Sequence, residues 1–197
     1  MKTVVDTPPR WVVRTAHLAA LAPLPSGLWR LAAACGIPVG FSGTNALADV
    51  EPGGFFSLYM VGLSLFAEAL GLLALGLVQS WGQVFPRWMP LIGGRRVPTS
   101  FTVTLAGAGA LALTLLTTLG AFGWNGPETM GHPESPKGIA YVVMTACYAP
   151  LLAWGPLLAV ATAHYWLRRR RAARLDSIAW VRTTSFADSG RGHGLTR

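Results

Sequence analysis

"FFSLYMVGLSLFAEALGLLALGLV", residues 55–78, runs for 24 residues with a single charge, Glu68. About 18 consecutive apolar residues suffice for a membrane-crossing helix, so this stretch reads as a span. The acid near its centre is the anomaly. A charged side chain at the middle of a bilayer costs about 3 kcal/mol even on insertion scales, so such a group is expected to be paired, protonated or at work.

The rest of the chain follows the same pattern. Residues are 52% hydrophobic and 12% charged, against roughly 25% charged in an ordinary soluble domain. Phe101 to Phe122 is a 22-residue run without charge, and Ile139 to Leu167 a 29-residue run whose only titratable side chains are His164, Cys147 and three tyrosines. The second is long enough to tilt, or to bend at Pro150 and Pro156. Thr15 to Phe41 is interrupted by Arg30, Pro23 and Pro25 but is otherwise apolar, and is read as a further span. The expectation is an all-α polytopic protein with four transmembrane helices in a bundle, at about 15–41, 55–78, 101–122 and 139–167. A short tail, 1–11, precedes the transmembrane domain, 12–167; a basic tail, 168–197, follows it. The opening residues resemble a secretory signal only in charge order, and lack a convincing cleavage site. Cys35 and Cys147 are read as small buried hydrophobes rather than as a disulfide framework.

Basic residues sort by loop. Lys2, Arg10 and Arg14 precede the first span, Arg87, Arg95 and Arg96 lie between the second and third, and Arg168 to Arg171 with Arg174 follow the fourth. The other two loops hold Asp49, Glu51, Glu128 and Glu134 against Lys137 alone. The positive-inside rule then puts both termini and the middle loop in the cytoplasm, in a multi-pass protein of the cell membrane. The net charge of +8 is thereby mostly a topology signal, and no nucleic-acid partner is expected. The four consecutive arginines also suit anionic lipid at the membrane surface, and beyond Thr183 the Ser, Gly and Arg content suggests disorder.

The middle loop reads "WGQVFPRWMPLIGGRRVP", residues 81–98. Trp81, Phe85 and Trp88 are headgroup-zone aromatics, and the prolines and glycines oppose a regular helix, so the loop is expected to lie along the bilayer; Arg87, Arg95 and Arg96 are candidate headgroup or substrate contacts. With "LGLVQSWG" before it and Glu68 upstream, this loop resembles that of a group of small, uncharacterised four-helix membrane proteins of high-GC actinobacteria. The bias of fourteen Arg to two Lys fits such a source. The resemblance covers roughly Arg14 to Leu167 and implies architecture without chemistry.

On a helix of 100° per residue, Glu68 shares a face with Ser57, Val61, Ser64, Gly71, Leu75 and Gln79. The third span presents Gly107, Ala110, Thr114, Thr117 and Thr118, and the fourth Tyr141, Thr145, Tyr148, Gly155, Ala159 and Thr162. Small and hydroxyl residues at this spacing let helices approach closely, so these stripes are expected to face one another. Arg30, on a face with Ala19, Pro23, Ser26, Gly27 and Ala34, is the candidate partner of Glu68. Their offset along the membrane normal is roughly 10 Å, which a long arginine and a broken helix could close. Unpaired, Glu68 should instead hold its proton.

Two classes of function follow. One is a small carrier or accessory membrane subunit, working as a homo-oligomer or beside a membrane partner, with a mildly polar interior around Glu68. The other is a membrane-embedded enzyme on a lipid-phase, isoprenoid-like substrate, of terpene-cyclase type, with Glu68 as general acid and a wall of Tyr141, Tyr148 and Trp154, Thr114 being a further binding candidate. His17 and His164 lie at similar depth on different helices, a weak haem possibility only. No cofactor or metal is expected, and no glycine-rich phosphate loop, CxxC pair or HExxH occurs.

Overall fold

The computed structural model describes residues 8–79, 94 and 97–191, with side chains through Arg174. All regular structure among them is helical: α1 (Arg10–Leu21), α2 (Leu24–Ala34), α3 (Phe55–Leu75), α4 (Thr99–Phe122), α5 (Ile139–Tyr148) and α6 (Leu151–Arg191). Three stretches are long and apolar enough to cross a membrane: Phe55–Leu75, Thr99–Phe122 and Ile139–Arg174, the last made of α5 with most of α6.

The remaining expected span is α1 with α2. Pro23 lacks an N–H and divides them, yet Ala22 and Pro23 both keep right-handed helical dihedrals, so the chain bends without leaving helical backbone. Pro25 falls in the first turn of α2, where its missing donor is harmless. The expected end at Phe41 is corrected to Ala34. Gly36 and Gly40 follow in left-handed conformations, φ 77° and 97°, with Pro38 between them, and together they terminate the helix.

Two further differences concern the C-terminal part. The break in the last span comes at Ala149 and Pro150, whereas Pro156 sits inside a continuous α6. The backbone stays helical to Arg191, past the point where disorder was expected; Arg, Ala and Leu are good helix formers, which accounts for the run through Leu175. The aromatic-rich middle loop, with Arg87, Arg95 and Arg96, lies outside the described residues.

The helices of the expected bundle pack as a row. The first pair, α1 and α2, lies against α3; α1 also lies against α6, α2 against α5, and α4 against α6. The order across the layer is therefore α4, α5/α6, α1/α2, α3, with α3 and α4 as its edges. Of the 24 residues of α4 only Ala110 is buried. The main apolar cluster joins Ala19, Ala22, Ala74, Ala110, Trp154, Leu158, Ala161 and Tyr165 across the row. Two glycines mark the tight crossings. A Cβ on Gly71 would come within 2.9 Å of the Ala20 carbonyl and 3.1 Å of the Pro23 ring, and one on Gly155 within 2.6 Å of the Thr114 nitrogen. Without an aqueous hydrophobic drive, such backbone approaches supply the dispersion contact that holds helices together in lipid.

The loops 35–54 and 123–138 meet at one end. Ser42 donates its N–H to the Glu134 carbonyl at 3.0 Å, and Thr44 donates its N–H to the Glu134 carboxylate at 3.1 Å. At the other end Trp11 meets His164 edge-on, ring centres 5.5 Å apart.

Candidate functional site

Gly27 and Arg30 stand one turn apart on α2, and Ser64 and Glu68 one turn apart on α3, so the seam between these helices opposes a glycine and a cation to a hydroxyl and an acid. Arg30 is buried, and its Nε donates to Ser64 Oγ at 3.0 Å. Ser64 in turn donates to the Met60 carbonyl at 2.8 Å. The guanidinium carbon of Arg30 also lies 5.9 Å from the centre of the Tyr148 ring, on α5. The side chain is thus held from both sides, by hydrogen bond and by cation–π contact.

Glu68 has no such support. Its Oε1 is buried with no hydrogen-bond partner among the described residues. It points at Gly27, where a Cβ would lie 3.1 Å from Oε1, so the absent side chain of Gly27 makes the space the carboxyl occupies. Arg30 Nε bonds Ser64 rather than Glu68, while the Arg30 charge still acts on Glu68 across the seam. The geometry explains this. Gly27 stands opposite Glu68, so Arg30, one turn farther along α2, meets Ser64, one turn before Glu68 on α3. Above, Ser57 Oγ donates to the Ala34 carbonyl at 2.8 Å and satisfies the end of α2.

The other candidates fall elsewhere. Tyr148 joins an aromatic group at the end bearing loops 35–54 and 123–138, with Trp29 at 5.7 Å and Trp124 at 5.6 Å; the Trp124 indole N–H donates to Thr145. Tyr141 donates its hydroxyl to Asn125 Oδ1 at 2.9 Å. Trp154 is buried in the apolar cluster, its indole nitrogen without a partner among the described residues. Thr114 donates to the Ala110 carbonyl at 2.7 Å, at the α4–α6 crossing. Of these only Tyr148 reaches the seam, through Arg30. His17 is exposed and turned to the Val13 carbonyl, whereas His164 meets Trp11. No group of three or more His, Cys, Asp or Glu able to hold a metal is found among the described residues. Cys35 is exposed beyond α2, not buried as expected; Cys147 is half-buried.

Sequence reasoning placed Ser64 on the face of Glu68 and Gly27 on that of Arg30, but gave neither a role. The signal was available: each lies one turn from its charged neighbour, on the face the two helices share. The chain matches no protein-family model, and no curated protein or solved structure is similar to it.

Proposed function

We propose that this is a four-span protein of the cell membrane with both termini cytoplasmic, a small carrier or accessory subunit, and that Glu68 is its working group, an acid that holds and releases a proton within the bilayer. The observation that carries this reading is the buried Glu68 Oε1 without a hydrogen-bond partner, in an apolar helix beside an arginine already committed to Ser64. A carboxyl kept for structure would spend its oxygens on the neighbouring helix. An isolated carboxylate at that depth is too costly to persist, so the neutral acid is the resting form. When the proton leaves, the Arg30 charge one turn away favours the anion without neutralising it permanently. The apolar outer faces of α3 and α4 suit lipid or a second copy of the chain, as a carrier of so few spans requires.

The test is modification of reconstituted protein with a hydrophobic carbodiimide. A protonated carboxyl adds across its C=N bond, oxygen to carbon and proton to nitrogen, and the O-acylisourea rearranges to a stable N-acylurea. Peptide mapping should find the adduct on Glu68, and none on that peptide in Glu68→Gln. A Glu68 that stays unmodified in the bilayer, yet reacts at acid pH once the protein is unfolded, would refute the proposal.

A further inference from the structure

At the end bearing the arginine run, α4 and α6 flank an open crevice of about 420 Å³, within the roughly 300–1,000 Å³ of small-molecule sites. Its polar lining residues are Thr99, Ser100 and Thr104 from α4, whose hydroxyls can donate, and Arg169 and Arg170 from α6. No carboxylate is among its lining residues as far as the described residues go. Both arginines are braced by aromatic rings one turn back. Arg169 donates its Nε to the Tyr165 hydroxyl at 3.3 Å and lies 5.4 Å from that ring's centre. Arg170 stacks 3.8 Å from the centre of the Trp166 ring. A guanidinium fixed in this way has lost its rotamer entropy before a ligand arrives, and its planar fork matches two oxygens of a phosphate. Thr99 and Ser100 open α4, whose cap residue Pro98 makes no side-chain cap, so the positive end of the helix adds to the field there.

The position narrows the ligand. The arginine run ends the apolar part of α6, which sets the crevice at headgroup depth, with Trp166 in the zone that amphipathic rings prefer. Val103 lines it on the apolar side, and the exposed Phe101 and Leu105 continue α4 into lipid. We infer that the crevice between α4 and α6 is a binding site for the phosphate of an anionic phospholipid, its acyl chains lying along α4. This depends on the membrane location of these helices and not on the role of Glu68.

The experiment is native mass spectrometry of the full chain in detergent, titrated with phosphatidylglycerol, phosphatidylcholine or inorganic phosphate. Phosphatidylglycerol should be retained, phosphatidylcholine only weakly, and inorganic phosphate should not displace it at equal concentration. Arg169→Gln with Arg170→Gln should lower retention at least about tenfold, whereas Arg14→Gln with Arg171→Gln, an equal loss of charge, should leave it within about twofold. Because these arginines also orient the chain during insertion, Arg169→Lys with Arg170→Lys provides a variant of unchanged charge, in which loss of the fork should still weaken retention several-fold. Equal losses in both Gln pairs, full retention in the Lys pair, or displacement by inorganic phosphate would each overturn the proposal.

Discussion

Arg30 spends its Nε on Ser64, and the consequence is measurable at single residues. Ser64→Ala leaves a buried guanidinium N–H without an acceptor and should destabilise the protein by about 1–3 kcal/mol. The same change made in an Arg30→Leu background should add nothing, which unfolding in detergent can check by a double-mutant cycle. Glu68 predicts the reverse pattern. Because the buried Oε1 has no hydrogen bond to lose, Glu68→Gln and Glu68→Leu should both unfold within about 1 kcal/mol of the parent. A buried ion pair would instead make the leucine variant about 3–5 kcal/mol worse. The presence of Glu68 in a spanning helix was legible in the sequence, since one charge in 24 residues stands out at once. Its partner was not. Helical phase gives the face a residue occupies, but the choice of Ser64 over Glu68 depends on a depth difference of one turn, which phase does not encode.

At the level of the element, small residues decide how near two helices come. Gly71→Ala should push α3 away from the Ala20 carbonyl and the Pro23 ring, and Gly155→Ala should part α6 from the backbone of α4 at Thr114; each is expected to destabilise by about 1–3 kcal/mol. Gly107→Ala is the control. Nothing lies within 4 Å of its added methyl, so helix propensity alone should make it neutral or stabilising by up to about 1 kcal/mol. The small-residue stripe of α3 holds in part: Ser57, Ser64 and Gly71 are buried, Val61 and Leu75 half-buried, and Gln79 exposed. The stripe of α4 was read too broadly. Ala110 and Thr114 meet α6, but Gly107 faces open space and Thr118 is exposed. Periodicity alone marks which face is small; how many neighbours a helix has is a property of the assembly.

For the whole molecule, the row order α4, α5/α6, α1/α2, α3 places the broken first helix inside the row, between α5/α6 and α3. Nothing in hydropathy distinguishes this row from a closed bundle, because the same four apolar lengths serve both. The loops are more telling. Glu134 ties loop 123–138 to Thr44 in loop 35–54, so these two segments share one side of the layer, as the distribution of charge anticipated. From Arg10 to Ala34 the first pair would reach roughly 37 Å if collinear, enough for a hydrocarbon core of about 30 Å. Whether that pair crosses decides whether Arg30 shares the membrane interior with Glu68, since α3 is long and apolar enough to cross by itself. Cysteine labelling of intact cells tests this most directly, in a background with Cys35 and Cys147 replaced by serine. Asp49→Cys and Glu134→Cys should react with a membrane-impermeant maleimide added outside, while Gly94→Cys and Ser189→Cys should react only after the membrane is opened. Outside labelling of Gly94→Cys, or protection of Asp49→Cys until lysis, would contradict the four-span account.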